Sequence, residues 1–388
     1  MSCFPGTLDE FPGVSIDNFA NENFNSTVYF LSHCHSDHMV GLASPKLRDR
    51  FHDHPYIRLY CHKVSKALLA GLDQYNHLIN SIEVLELQEE KLISIYDSQG
   101  IESSTATVSI IPAGHCPGSV MFLLSSNSGC TVLYTGDFRV NVGDTVKIRE
   151  LFDEYGNMKF RISRVYIDTT FCTPAAKFIP TREACCNSVI KTIREWLNRD
   201  SQRIVHVLSR SNYGYEYLMS RLASEFSRKL HVTEQQYQRY RFVRDIHKHL
   251  SVDIRDAGRI HFCQLSVDGT IPKCISNSSN VLTIIPTAMY FTKSLVTPKE
   301  MVKCITERTI RVCYSTHCSY NEIIDFLKNI KPDKIQPCVE PNDSQSLDDV
   351  RRSLFHLERK TCLADFFTKP ELVQSQFSLK RKRKMVGF

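Results

Sequence analysis

The sequence has no stretch approaching the ~20 consecutive apolar residues of a membrane-spanning helix. Glycine and proline are sparse, 15 of each in 388 residues, and no segment repeats, which excludes collagenous and repeat architectures. Residues Met1 to Glu10 have neither the basic nor the apolar region of a secretory signal, so a protein neither secreted nor membrane-embedded is expected. The 15 cysteines are odd in number and follow no repeating spacing, so reduced thiols without disulfides are expected. What is present is a globular composition, 42% hydrophobic and 23% charged. The length is about two and a half times a ~150-residue domain, which predicts two domains or one with a large insertion.

Charge is unevenly placed. Residues 1–170 hold 13 basic and 20 acidic residues, residues 171–379 hold 30 and 22, and Lys380, Arg381, Lys382, Arg383 and Lys384 add a run of five cations. The basic half is therefore the candidate surface for a polyanion.

Short β-rich runs fill the first third: Thr27 to Leu31, Ile57 to Cys61, Ile82 to Leu87, Thr107 to Ile111, Val120 to Leu124, Thr131 to Tyr134 and Val165 to Ile167. Thr181 to Arg199 reads as a helix with Thr181 as its N-cap, and Tyr215 to Phe226 as a second helix. Strands at Ile204 to Leu208, Val281 to Ile285 and Ile310 to Tyr314, then a helix from Tyr320 to Leu327, complete a mixed α/β pattern.

The chemistry concentrates in Leu31-Ser32-His33-Cys34-His35-Ser36-Asp37-His38, directly after an apolar strand. Alternation in an extended segment sends His33, His35 and Asp37 to one side, and a following turn brings His38 to join them. His115 and Asp137 follow two further apolar strands. Imidazoles suit Zn²⁺, and a carboxylate between two cations bridges them, the role expected of Asp137. Three His and one Asp within six residues, with two more candidates at strand ends, are too many to be ordinary strand-end polar residues. Cys34 and Cys116 point away and are expected to pack.

This constellation resembles the metallo-β-lactamase superfamily, with its His-x-His-x-Asp-His signature at His33, His35, Asp37 and His38. The resemblance places the first family motif at Asp17, in a supporting role, the third at His115 and the fourth at Asp137. The segments Leu133 to Arg139, Val165 to Cys172 and Ser315 to Tyr320 resemble the β-CASP nucleases of the DNA repair subgroup, and the regions Phe11 to Phe19 and Tyr213 to Tyr217 its hairpin-opening, end-joining branch.

That resemblance implies an αββα metallo-β-lactamase sandwich of residues 1–168 and 306–355, an α/β β-CASP domain inserted at 169–305, and a flexible basic tail from 356 to 388. It implies β-CASP roles for Asp168 and His317, His317 also reaching a second metal. Val339 occupies the third β-CASP position, where an apolar residue goes with DNA processing. The implied cofactors are Zn²⁺ on His33, His35, His115 and Asp137, and Mg²⁺, Mn²⁺ or Zn²⁺ on Asp37, His38, Asp137 and His317. His231, His261, Cys263 and Cys274 have the ligand types of a structural Zn²⁺ site, a reading the resemblance strengthens.

The implied function is a metal-dependent DNA endonuclease that opens hairpins and trims overhangs at double-strand breaks. The alternatives are a 5′-exonuclease of cross-link repair and a non-catalytic DNA-end scaffold. DNA contact is expected at Arg210, Tyr213 and Tyr215, with Ser319 and Tyr320 as a pocket for a terminal phosphate. Expected partners are DNA ends and hairpins, DNA-dependent protein kinase and the end-joining ligase complex. Lys380 to Lys384 read as a nuclear localisation signal. Leu363, Phe366 and Phe367 resemble a sliding-clamp-binding peptide that a 3₁₀ turn would gather on one face.

Overall fold

The computed structural model describes residues 2–265, 269–276, 280–293, 301–341 and 346–359. The expected clamp-binding residues Leu363, Phe366 and Phe367 and the localisation run Lys380 to Lys384 lie outside the described residues. No disulfide occurs among the described residues, and none of their helices is long and apolar enough to cross a membrane.

Two sheets stack face to face. The first is a four-stranded parallel sheet of Val14–Ile16, Val28–Leu31, Arg58–His62 and Ile82–Leu85 in that order. Parallel strands covered on both faces read as unbroken apolar runs, and every residue of Val28–Leu31 is buried. The second sheet has six strands, in the spatial order Lys334–Pro337, Arg164–Ile167, Thr131–Tyr134, Val120–Ser126, Glu102–Pro112 and Glu90–Tyr96.

Alternation then divides the core. Val28 and Phe30 point between the sheets against Phe122, Leu124, Val132 and Tyr134, while Tyr29 and Leu31 point outward. On the outer side of the six-stranded sheet, Leu133, Val165 and Ile167 pack against Ile323, Phe326 and Leu327 of the helix Tyr320–Ile330 and Val350 of the helix Leu347–Leu354. The result is an αββα sandwich.

A third sheet of seven strands is built from residues 204–312, around Ile204–Val207 and Val281–Pro286. Helix Arg182–Leu197 packs against it, with the Thr181 side chain accepting from the Ala184 N–H as its N-cap.

The boundary expected at 305/306 falls inside this sheet. Val302–Thr306 pairs antiparallel with Thr309–Val312, which itself runs parallel beside Val281–Pro286, so the chain returns to the sandwich only after Val312. A short apolar strand reads the same whichever sheet it joins. Seven strands went unexpected, among them Val14–Ile16, which is very short, and Glu90–Tyr96, which is half polar because its outer residues face water.

Candidate metal centre

His33, His35, Asp37, His38, His115 and Asp137 sit just beyond strands of the sandwich, and His317 follows Thr309–Val312 of the third sheet. His33 and His35 follow Val28–Leu31; the chain then closes into the 3₁₀ turn Ser36–His38, which brings His38 back beside His33 with ring centroids 4.2 Å apart. His115 follows Glu102–Pro112, and Asp137 follows Thr131–Tyr134. The turn at Gly136 is left-handed, φ +51°, and a Cβ there would come within 2.8 Å of Ser32 Oγ, so only glycine fits.

Asp137 lies at the focus. Its Oδ2 is 3.5 Å from His33 Nε2, 3.4 Å from His115 Nε2 and 3.9 Å from His317 Nε2, and its Oδ1 is 3.4 Å from His38 Nε2. His35 Nδ1 lies 3.1 Å from His33 Nε2 and 2.9 Å from His115 Nε2.

The outward nitrogen of each ring is engaged elsewhere. His38 Nδ1 meets Asp17 Oδ2 at 2.9 Å, His317 Nδ1 meets Asp168 Oδ2 at 2.8 Å, and His115 Nδ1 lies 3.1 Å from the Thr316 carbonyl. His33 Nδ1 meets Ser32 Oγ at 2.9 Å, and His35 Nε2 lies 3.4 Å from the Tyr213 carbonyl. Such outer partners fix tautomer and ring orientation, leaving the inward lone pairs for a cation.

Electrostatics agree with that donor set. Burial holds His35 down at about 3, and burial pushes His115 well below the imidazole range, so both rings are neutral donors at physiological pH. Burial opposes the charge on Asp137, but the rings of His38, His317 and His115 outweigh it and hold the carboxyl well below the carboxylate range. The neutral nitrogens His35 Nδ1 and His115 Nε2, 2.9 Å apart beside an ionised carboxylate, repel one another unless a cation accepts their lone pairs, so the residues fit a metal.

Asp37 is half-buried and lines the same cavity, with its Oδ2 accepting from the Ser2 N–H at 3.3 Å; it lies outside the tight His/Asp groups. Asp17, at φ +55°, accepts from Ser32 N–H at 2.6 Å, from Ser32 Oγ, from Tyr134 OH at 2.9 Å and from His38, so it orients ligands instead of reaching the cavity. Cys34 and Cys116 pack at the apolar core.

The cavity is about 450 Å³ and is lined by His35, Asp37, His115, Asp137 and His317 on the sandwich side and Arg210, Ser211 and Asn212 opposite. Arg210 is exposed and pairs with no carboxylate among the described residues. Val339 also lines it.

Four expected DNA contacts also make contacts within the protein. Ser319 is buried and its hydroxyl accepts from the Glu322 N–H, completing a capping box on Tyr320–Ile330. Tyr320 packs half-buried on the adjoining core. Tyr213 is buried with its ring beside His35, 6.0 Å between centroids, while half-buried Tyr215 stacks on Tyr314 at 5.9 Å.

The sequence reading missed Tyr134, Ser32 and above all Arg139. The Arg139 guanidinium is 2% exposed, donates to the carbonyls of Ser315 at 2.9 Å and Pro180 at 2.8 Å, and meets Glu322 at 3.3 Å. It stands two residues beyond Asp137, and a charged residue inside an otherwise buried run was the available signal.

A second cluster sits at one side of the seven-stranded sheet. His231 and His261 are register partners on adjacent strands, Cys263 follows, and Cys274 comes from the short helix Lys273–Ser276. Their ligand atoms lie within 4.8 Å of one another, with Cys263 Sγ 3.0 Å from His231 Nδ1 and 3.6 Å from Cys274 Sγ. His261 Nδ1 is buried without a partner among the described residues and burial holds that ring at about 4, so a neutral donor nitrogen is left that a metal ion would satisfy.

The sandwich, the inserted sheet and the strand-end His/Asp cluster together define a metallo-β-lactamase-type protein. The family model described as DNA repair metallo-beta-lactamase matches residues 245–343, and the chain belongs to that family as an Artemis-like member. It is 38% identical over 351 residues to protein artemis of Gallus gallus, covering 88% of this chain and 48% of that protein. Protein artemis of Danio rerio is 36% identical over 397 residues, covering 99% and 60%, and 5′ exonuclease Apollo of Mus musculus 30% over 316 residues, covering 81% and 51%. The chain thus spans about half the length of most of these relatives. The family implies a metal cofactor, in keeping with the His/Asp clusters.

Proposed function

We propose that this chain is a metal-dependent DNA nuclease that opens hairpins and trims overhangs at double-strand breaks. The observation that carries the reading is the set of four imidazoles directed at one ionised carboxylate, on the floor of a cleft whose opposite wall presents Arg210. His33, His35, His115 and Asp137 would hold Zn²⁺, and Asp37, His38, Asp137 and His317 a second ion, Zn²⁺, Mg²⁺ or Mn²⁺. When bound, such ions supply Lewis acidity and generate a nucleophile from water near neutral pH.

The protein groups do the rest. Asp17 and Asp168 lock the rings of His38 and His317, and Arg210 orients the phosphodiester opposite Asp137. The groove between the sandwich and the net-positive second half holds the DNA backbone. His231, His261, Cys263 and Cys274 hold a structural Zn²⁺ away from the chemistry. The nucleus is the compartment of such a substrate, and DNA-dependent protein kinase and the end-joining ligase complex are the proposed partners.

The competing 5′-exonuclease reading is supported by the likeness to Apollo. A DNA hairpin with no free end separates the two, because only an endonuclease opens it. Asp37→Ala should abolish opening with the fold intact. A wild-type chain that degrades 5′-ended strands yet leaves the closed hairpin uncut would favour the exonuclease.

A further inference from the structure

A second pocket shares Arg210 with the metal cleft and leads away from it. Its volume is about 240 Å³, and Arg210, Ile285, Thr287, Met289, Tyr290 and Arg311 line it. An intermediate hollow that includes Thr287, Met289 and His317 joins the two, so one furrow runs from the metal ligands to Tyr290. Among the described residues, no acidic one lines this far end.

Tyr290 is half-buried, with the Arg311 guanidinium over its ring at 4.1 Å from the centroid and Lys303 Nζ at 5.5 Å. Lys303 and Arg311 are direct cross-strand partners in the antiparallel pair. Like charges placed opposite each other destabilise a sheet, and a carboxylate at either position would serve stability better. A lysine on an edge strand is an ordinary guard against edge pairing, but Arg311 is on the inner strand of the pair, so that explanation does not cover it. Neither cation meets a carboxylate among the described residues, and Arg311 Nε is buried without a hydrogen-bond partner. Met289 is 42% exposed at the rim, a soft apolar surface beside the aromatic ring.

An aromatic ring, two uncompensated cations and an exposed thioether match the faces of a nucleotide: a base for the ring and the guanidinium plane, phosphate for the charges. We propose that Tyr290, Arg311 and Met289 form a stacking ledge for an unpaired base of a single-stranded overhang, with Lys303 facing its backbone. The ledge rests on the nuclease reading above and adds to it a preference for DNA whose duplex ends near the metals. It acts by positioning, at the far end of the furrow from the bond that breaks.

The test uses the full chain in an Asp37→Ala background, which prevents turnover, with fluorescent blunt and overhang duplexes and 2-aminopurine in the overhang. Tyr290→Ala should lower affinity for overhang DNA on the order of tenfold and leave the blunt duplex unchanged. Tyr290→Phe should retain wild-type affinity, because stacking needs the ring and not the hydroxyl. The 2-aminopurine should be quenched with Tyr290 or its Phe variant and stay bright with the Ala variant. Overhang binding without quenching in the Tyr290 chain rejects the ledge whether or not the Ala variant folds, as does equal loss on blunt and overhang DNA. Wild-type protein that neither binds nor cuts DNA defeats the nuclease reading itself, a separate outcome.

Discussion

Replacing Arg139 by alanine tests whether the metal cleft is held together by one buried cation. The side chain is 2% exposed and Glu322 is 6% exposed, and the pair joins segments that are far apart in sequence. Nη1 holds the Ser315 carbonyl, two residues before His317, and Nη2 holds those of Ile179 and Pro180, just ahead of the helix Arg182–Leu197. Removing the guanidinium strands a buried carboxylate and frees three carbonyls. Breaking a buried ion pair from one side costs about 3–5 kcal/mol, and each carbonyl that water cannot reach adds about 1–3 kcal/mol. Glu322→Gln should cost less, because its amide still accepts from the Ser319 N–H, which now reaches Glu322 Oε2 at 2.6 Å. Urea unfolding of the wild type, both single variants and the double variant gives the coupling, expected at about 1–3 kcal/mol. An Arg139→Ala cost below ~1 kcal/mol, or single costs that add within ~0.5 kcal/mol, would refute the argument.

Three further outcomes are expected. Asp17→Asn removes the charge that orients His38 and should weaken metal affinity or turnover by roughly 10- to 100-fold without unfolding, checked by metal titration and cleavage on one preparation. Cys263→Ser with Cys274→Ser should lose one equivalent of zinc by elemental analysis and lower the melting temperature while metal remains at the His33 cluster; unchanged zinc content would remove the structural site. Arg210→Ala should weaken binding to all DNA sequences alike and reduce the slope of log affinity against log salt by about 1, measured by anisotropy across a salt series.

Much of the metal centre was legible because its ligands come in local runs. His33, His35 and His38 fall within six residues of one strand end, and a strand followed by a tight turn can aim them only one way. The Ser319 and Glu322 capping pattern is equally local: a serine hydroxyl three residues before a glutamate satisfies the orphan amides of its own helix.

The sequence by itself determined the strand-end ligands, the alternating faces of Val28–Leu31 and the uneven charge, since each depends on neighbours a few residues apart. Only the tertiary structure decided what crosses the chain. Asp168 and His317 are 149 residues apart and meet at 2.8 Å, and the His115 ring and the Thr316 carbonyl are 201 apart. The strands Val302–Thr306 and Thr309–Val312 joined the third sheet and not the sandwich because pairing partners are chosen by packing and hydrogen bonding at long range. Period-two patterning does not encode that choice. A linear reading offers Arg139 only as a charge within an apolar run and not what it binds, because its four partners come from two distant segments, 179–180 and 315–322.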